Sequence, residues 1–299
     1  MSTDLLQLQC VKGRLHALNG VFLNENRYDH RCCGQPQNAC RGTTALTPRF
    51  APNARNPTLL ERSMLDQSEL LNVLSQNDRQ VLFDQLTEVH FTTGDLLYEP
   101  DQNVDFCYFP LGASIASYFV LTDDGSIVET LMVGREGALG GIVSAGIAPS
   151  FARANVMNGG AFYRIPLDRL ERVKRSSPAV DALFTRYADC MMAQVFQSIA
   201  CNAIHTIEQR AAKWLIAATE RIGRNDIAMT QEQLAAMMGI GRSYASRVVQ
   251  RFKLDDIVRT RRGGIEVTDA HALSRRACTC NARVKRHFER VLEGVYPAV

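Results

Sequence analysis

The stretch from Thr230 to Phe252, TQEQLAAMMGIGRSYASRVVQRF, leaves little freedom in how the chain around it folds. Thr230 with Gln233 three residues later makes a capping box that opens a helix, and Leu234, Met237 and Met238 give that helix one apolar face. Small Ala235 lets a second helix come close. Gly239 stands where the chain must turn through positive φ, and Gly241 is placed to N-cap the next helix. At about 100° per residue, Arg242, Ser243, Ser246, Arg247, Gln250 and Lys253 of that second helix fall within an arc of about 140°. Tyr244, Ala245, Val248, Val249 and Phe252 fall on the opposite arc. Such a helix is expected to be buried on one side and to probe something polar on the other. Arginines interleaved with small hydroxyls suit phosphates and base edges in a DNA major groove.

The residues that follow add to this pattern. Ile257 to Arg261 and Ile265 to Thr268 are β-prone runs joined by Arg262, Gly263 and Gly264, which predicts a hairpin wing with arginines at or near its tip. An amphipathic helical hairpin in an enzyme, with a solvated charged face, is the competing reading. Helix, glycine turn, helix and basic hairpin in series favour DNA.

Charge is polarised along the chain. Residues 65–205 hold 9 basic against 17 acidic side chains, and residues 206–299 hold 17 against 10, so an acidic middle precedes a basic end. That asymmetry is expected where one domain alone meets nucleic acid. With 299 residues and 46% hydrophobic content, two domains with proper cores are affordable. The lack of a long apolar run and of a signal-peptide core predicts a cytoplasmic protein with no membrane partner. Nine irregularly spaced cysteines then read as reduced thiols.

Residues 1–63 have little periodicity and many turn formers, and are expected to be an irregular, disordered extension, with Met64 an alternative start of translation. From Thr87 to Pro166 short β-prone runs (VHF, TTGDLLYEP, CYFPLGASIASYFVL, SIVETLMV, AFYRIP) alternate with turn signals, predicting an antiparallel barrel or jelly roll. From Ser177 apolar pairs recur every four residues: Leu183 and Phe184, Tyr187 and Ala188, Met191 and Met192, Val195 and Phe196, Ile199 and Ala200, Ala203 and Ile204. Each four-residue step overshoots a full turn by about 40°, so the apolar surface creeps around one long helix. Such a helix can touch its own β domain along one part and a second subunit along another. A single buried core helix is the alternative.

Taken in order, a β-rich sensor-like domain, a long helix and a C-terminal winged helix-turn-helix resemble the Crp/Fnr family of bacterial transcription regulators. The resemblance spans about residues 65 to 293 and is carried by Thr230-Gln-Glu-Gln-Leu-Ala, Gly239, Arg242-Ser-Tyr-Ala-Ser-Arg247 and the wing from Ile257 to Val267. It implies an α+β fold: a β-roll (jelly-roll, cyclic-nucleotide-binding-like) domain at 64–176, a long dimerisation helix at 177–209, and a winged helix-turn-helix DNA-binding domain at 210–299. It also implies a homodimer on a pseudo-palindromic double-stranded DNA site, with RNA polymerase as a further partner. The family's base-reading positions fall on Arg242, Ser243 and Arg247, with Ser246 available; Thr230, Gln231, Tyr244, Arg261 and Arg262 complete the expected DNA-binding set. Ser243 replaces the glutamate common at its position, so the family's best-known half-site does not transfer.

The sensor domain departs further from the family. Where cyclic-nucleotide binders carry a ribose-holding glutamate, the matching stretch Arg135-Glu-Gly-Ala-Leu-Gly-Gly-Ile142 has Gly141, and Arg153-Ala154 keeps an arginine without its hydroxyl neighbour. Tight cyclic AMP binding is therefore not expected. Arg153 remains a candidate for an anionic ligand or for a structural surface role. No cofactor and no metal are expected. The cluster His30, Cys32, Cys33 and Cys40, with Cys107 as a partner in the β domain, does not match the family's iron-sulfur spacing. Cys278 and Cys280 are expected to pack, Cys190 and Cys201 to fill small apolar spaces. His205 and Glu208 read as a helix-surface pair, Trp214 as core, and no catalytic constellation stands out, so the chain is not expected to be an enzyme. The alternative from another class is a redox or small-molecule sensor whose basic C-terminal domain binds a partner protein.

Overall fold

The computed structural model describes residues 68–293 apart from 124, 145 and 146. The expected N-terminal extension and its cluster Cys32, Cys33 and Cys40 lie outside the described residues. Two short helices, α1 (Glu69–Asn72) and α2 (Gln76–Phe83), lead in, each N-capped by a serine, Ser68 and Ser75.

Seven strands follow: β1 (Thr87–Phe91), β2 (Leu96–Tyr98), β3 (Phe106–Pro110), β4 (Ile115–Leu121), β5 (Ile127–Val133), β6 (Arg153–Asn158) and β7 (Gly160–Pro166). They form two antiparallel sheets, in the orders β1-β7-β3 and β2-β6-β4-β5. Tyr98, Tyr108, Ala116, Leu131, Val133, Ala154, Val156 and Phe162, drawn from both sheets, meet in one core between them. The run expected to be continuous from Cys107 to Leu121 is broken into β3 and β4, since Gly112 turns the chain at φ 55°. Strand β6 has only Ala154 and Val156 on its buried side, too weak an alternation to register in the sequence.

Strand β3 is buried on both faces. Tyr108 faces the sandwich core, whereas Cys107 and Phe109 pack under α3 (Leu167–Ser176) and α4 (Pro178–Ile204), against Leu170, Leu183, Phe184 and Tyr187. Ser177 caps α4 by accepting from the Val180 amide, and Pro178 occupies its first turn. The apolar surface creeps as the four-residue pairs predict: Leu183, Phe184 and Tyr187 are buried, while Met192, Val195, Phe196 and Ile199 are exposed.

The long helix expected to reach residue 209 stops at Ile204. His205 is extended, and Thr206 with Gln209 forms a capping box that starts α5 (Ile207–Ile222) afresh. Gly223 ends α5 in the left-handed conformation. The remainder comprises β8 (Asp226–Ile227), α6 (Gln231–Met238), α7 (Arg242–Leu254), β9 (Val258–Arg261), β10 (Gly264–Val267), α8 (Ala270–Arg276) and α9 (Cys280–Leu292). Two-residue β8 pairs with β10, so the expected two-stranded hairpin is a three-stranded sheet.

The core of this C-terminal part joins Trp214, Leu215, Leu234, Met237, Val249 and Phe252, and it also takes in Ile115, Phe119 and Met132 from the outer face of the β2-β6-β4-β5 sheet. The helix-turn-helix is thus seated on the β domain. Helix α9 runs back along α4, where the Phe288 ring meets Tyr187 edge-on and Arg186 Nη1 donates to the Val291 carbonyl at 3.0 Å. Among the described residues, no helix is long and apolar enough to cross a membrane.

Candidate nucleic-acid interface

Helix α6 begins with the expected reciprocal cap: the Gln233 amide donates to Thr230 Oγ1 at 3.1 Å, and the Thr230 amide donates to Gln233 Oε1 at 2.8 Å. It ends at Gly239, at φ 63°. Gly241 then N-caps α7 without a side chain, so the opening turn of α7 presents backbone N–H groups beside Arg242 and Ser243.

Ala245, Val248, Val249 and Phe252 are buried, and Arg242, Ser243, Arg247, Gln250 and Lys253 are exposed, as their arcs require. Tyr244 is the exception. Expected on the buried arc, it is 42% exposed and lies under the Arg247 guanidinium, 5.1 Å from ring centroid to carbon. At the third position of the helix the core has not yet closed over its side chain, and stacking holds Arg247 in place.

Several expected interface residues are positioned by neighbours. Ser246 Oγ donates to Gln231 Oε1 at 3.0 Å, which ties α7 to the first turn of α6. Arg242 Nη1 is 3.8 Å from Glu232 Oε2, both groups being largely exposed. Arg261 makes two hydrogen bonds to the Asp226 carboxylate, which raise the arginine's pKa further above its ordinary value. Asp226 of β8 therefore holds the tip end of β9. Arg262 sits exposed in the two-residue turn with Gly263, whose φ of 74° needs glycine. Thr230, Gln231, Arg242, Ser246 and Arg261 border one groove of about 400 Å³ between the helix pair and the wing.

Behind this face, Glu208 of α5 accepts from Arg251 at 2.6 Å and from Arg276 at 2.9 Å, and Arg276 also reaches Asp255 at 2.5 Å. Glu208 thus links α5, α7 and α8 instead of pairing with His205. Trp214 is buried as expected, and its indole N–H donates to Glu129 of β5, which also accepts from Ser117 Oγ at 2.5 Å. Desolvation of the Glu129 carboxyl pushes its pKa from 4.5 to about 7, against the opposing pull of these two hydrogen bonds.

In the β domain the glycine-rich loop from Gly134 to Ile142 is held by tyrosine hydroxyls. Tyr118 accepts from the Gly140 amide at 3.0 Å, Tyr187 accepts from the Ala138 amide at 3.0 Å, and Tyr98 donates toward the Phe106 and Leu139 carbonyls. Gly141 has φ 62°, and a Cβ there would come within 2.2 Å of Leu167. Arg153 is engaged by Glu99, with Nη2 2.9 Å from Oε2. The same loop reaches α5: Arg135 donates to the Arg221 carbonyl at 2.8 Å and Arg221 Nε donates to Glu136 at 2.8 Å.

Cys107 and Cys190 are buried singly, and burial pushes the Cys190 thiol up to about 12. Cys201 and Cys280 are buried as expected, and together with Cys278 they also converge on His205. The signal was present as Cys201-x3-His205, one helical turn apart, and Cys278-x-Cys280. Its halves lie 77 residues apart in sequence, as measured from Cys201 to Cys278, which hid it.

A β sandwich, a connecting helix and a winged helix-turn-helix with an exposed basic face define the class of helix-turn-helix transcription-regulator folds. Residues 209–276 match the model of the Crp-like helix-turn-helix domain, and the chain carries that domain on the fold of Crp/Fnr-family transcription regulators. FixK2 from Bradyrhizobium japonicum superposes with a TM-score of 0.55 at 15% identity, over 64% of this chain and 98% of that one. A putative transcriptional regulator of the Crp/Fnr family from Eubacterium rectale gives 0.52 at 18% identity, over 69% and 96%. CLP of Xanthomonas campestris, described as a c-di-GMP-responsive global regulator, gives 0.54 at 12% identity, over 65% and 100%. No curated protein sequence matches the chain.

Proposed function

We propose that this protein is a sequence-specific transcription regulator that binds a pseudo-palindromic DNA site as a homodimer. The observation that carries the reading is the exposed face of α7, where Arg242, Ser243 and Arg247 stand clear of a buried Ala245, Val248, Val249 and Phe252. In this reading Arg242, Ser243, Ser246 and Arg247 reach base edges. Thr230, Gln231, Tyr244, Arg261 and Arg262 contact the backbone or hold the readers in position. Dimerisation is supported by Met192, Val195, Phe196 and Ile199, spaced i, i+3, i+4 and i+7 on the exposed half of α4. Two copies of α7 then enter successive major grooves about 34 Å apart.

The division into a sensor domain at 64–176 and a DNA-binding domain at 210–299 belongs to this reading, as does RNA polymerase as the partner of the bound dimer. Independence from cyclic AMP is supported by the crowding at Gly141, by the tyrosines that hold the glycine-rich loop, and by Glu99 on Arg153. Selection of bound fragments from random DNA, followed by sequencing, is the deciding experiment. A two-fold symmetric motif with half-sites about 10 base pairs apart is expected. Recovery of no enriched motif at moderate salt would sink the proposal.

A further inference from the structure

Four metal-ligating side chains that the proposed DNA interface does not use meet where the long helix ends. Cys201 and His205 lie one turn apart at the end of α4, Cys278 lies in the link between α8 and α9, and Cys280 opens α9. One ligand atom from each falls within 4.8 Å of all the others. Cys201 Sγ is 3.6 Å from Cys278 Sγ, and Cys280 Sγ is 3.6 Å from His205 Nδ1. Zinc bonds of about 2.3 Å to sulfur and about 2.0 Å to nitrogen, set at tetrahedral angles, imply S···S edges of about 3.8 Å and S···N edges of about 3.5 Å. Both observed edges have that size.

We propose that Cys201, His205, Cys278 and Cys280 form a mononuclear tetrahedral site for a divalent ion of the zinc class. A disulfide is a different geometry, since its sulfurs lie about 2.0 Å apart, and all three cysteines are free thiols. An iron-sulfur cluster would spread its ligands around a core of several atoms, whereas this set closes around a single ion. Binding balances as one divalent cation plus three thiols and a neutral imidazole giving a complex of net charge −1 and three protons released.

The surroundings suit that product. Cys201 and Cys280 are buried, while Cys278 and Cys280 border a cleft of about 680 Å³ through which an ion can enter. Gln197 Nε2 donates to Cys280 Sγ at 3.2 Å, an outer hydrogen bond of the kind that orients a thiolate ligand. Arg210 lines the same cleft as Cys278 and Cys280, and its Nη2 donates to the Met238 carbonyl at the end of α6. A bound ion would cross-link the α4–α5 junction to the segment that follows the wing, and so fix how the helix-turn-helix is carried on the long helix. The assignment does not depend on the DNA-binding reading.

The test uses the full chain with Cys32, Cys33 and Cys40 replaced by serine, which removes the other dense cysteine group. Reduced, chelator-stripped protein is titrated with Co²⁺ and then with Zn²⁺. One equivalent per protomer is expected, with the ligand-field and thiolate charge-transfer bands of tetrahedral Co²⁺, and Zn²⁺ displacing them. Cys278→Ser and His205→Ala should each weaken binding at least about 100-fold, while Cys107→Ala leaves it unchanged. Should the ligand variants fail to fold, the melting temperature of the titrated protein itself is read, and it should rise on saturation with Zn²⁺. Absence of both the bands and the melting shift in folded, reduced protein would overturn the proposal. So would stoichiometric binding that survives Cys201→Ser and Cys278→Ser together.

Discussion

Glu129 illustrates how one side chain acquires an energetic role from its place in the fold. Its carboxyl is desolvated against Trp214 and Ser117, so the folded chain holds the proton more tightly than the unfolded chain does. The pKa is raised, so the unfolded state sheds its proton first as pH rises from about 4.5, and the folded state loses stability until Glu129 itself ionises near pH 7. Above that window the burial costs at most about 3 kcal/mol, reduced in practice because part of the residue borders the cleft. The melting temperature is expected to fall between pH 5 and 8, and Glu129→Gln, whose amide can still serve both partners, should remove most of that slope. Parallel curves for the two proteins would refute the assignment. At Arg242 the expectation concerns recognition: Arg242→Ala should cost about 1–3 kcal/mol in affinity for the selected site and relax preference at one base pair per half-site. Unchanged specificity in repeated selection would remove Arg242 from the base-reading set.

At the scale of elements, helix boundaries are set by caps and helix faces by periodicity. Thr230→Ala removes one half of the reciprocal cap of α6 and should destabilise the chain by about 1 kcal/mol in urea unfolding, with a matching loss of DNA affinity if the α6–α7 geometry is what presents Arg242. Helix α4 divides its labour along its length. Its first half covers β3 through Leu183, Phe184 and Tyr187, and its second half leaves Phe196 65% and Ile199 63% exposed. In the proposed homodimer this apolar row is the seam. Phe196→Glu should therefore shift the monomer–dimer equilibrium by about 2–3 kcal/mol, roughly a hundredfold, in sedimentation equilibrium. A dimer of unaltered strength would mean that α4 is not the seam.

On the scale of the whole molecule, charge is segregated: an acidic middle of 9 basic and 17 acidic residues is joined to a basic end of 17 and 10. DNA binding should accordingly be steeply salt-dependent, with about a thousandfold loss between 50 and 200 mM salt if a dimer neutralises six or more phosphates. A flat salt profile would argue that the basic end meets something other than DNA. The β domain and the helix-turn-helix also share one core, since Ile115, Phe119 and Met132 enter the cluster around Trp214. Arg135 and Glu136 of the glycine-rich loop grip Arg221 at the end of α5. The glycine-rich loop is thereby tied to the helix that leads into the helix-turn-helix.

Local chemistry could be read ahead of the fold wherever a few adjacent residues suffice. The capping box at Thr230 and the left-handed turn at Gly239 depend on neighbours within one or two turns and appear where their residues predict, as do the faces of α7 apart from Tyr244 and the wing turn at Arg262 and Gly263, with Gly264 taken into β10. Tyr244 departed from its arc because periodicity assigns a direction but not the depth of the core beneath it. Strands β6 and β8 were hidden because their identity comes from the partners they pair with, β2, β4 and β10, and not from their own alternation. The break at His205 comes from the Thr206–Gln209 cap, which directly follows the last of the apolar pairs, Ala203 and Ile204. The convergence of Cys201, His205, Cys278 and Cys280 lay furthest from reach. Two short spacings that mean little alone become one set only when α9 folds back along α4, and no local propensity encodes a contact made across 77 residues of chain.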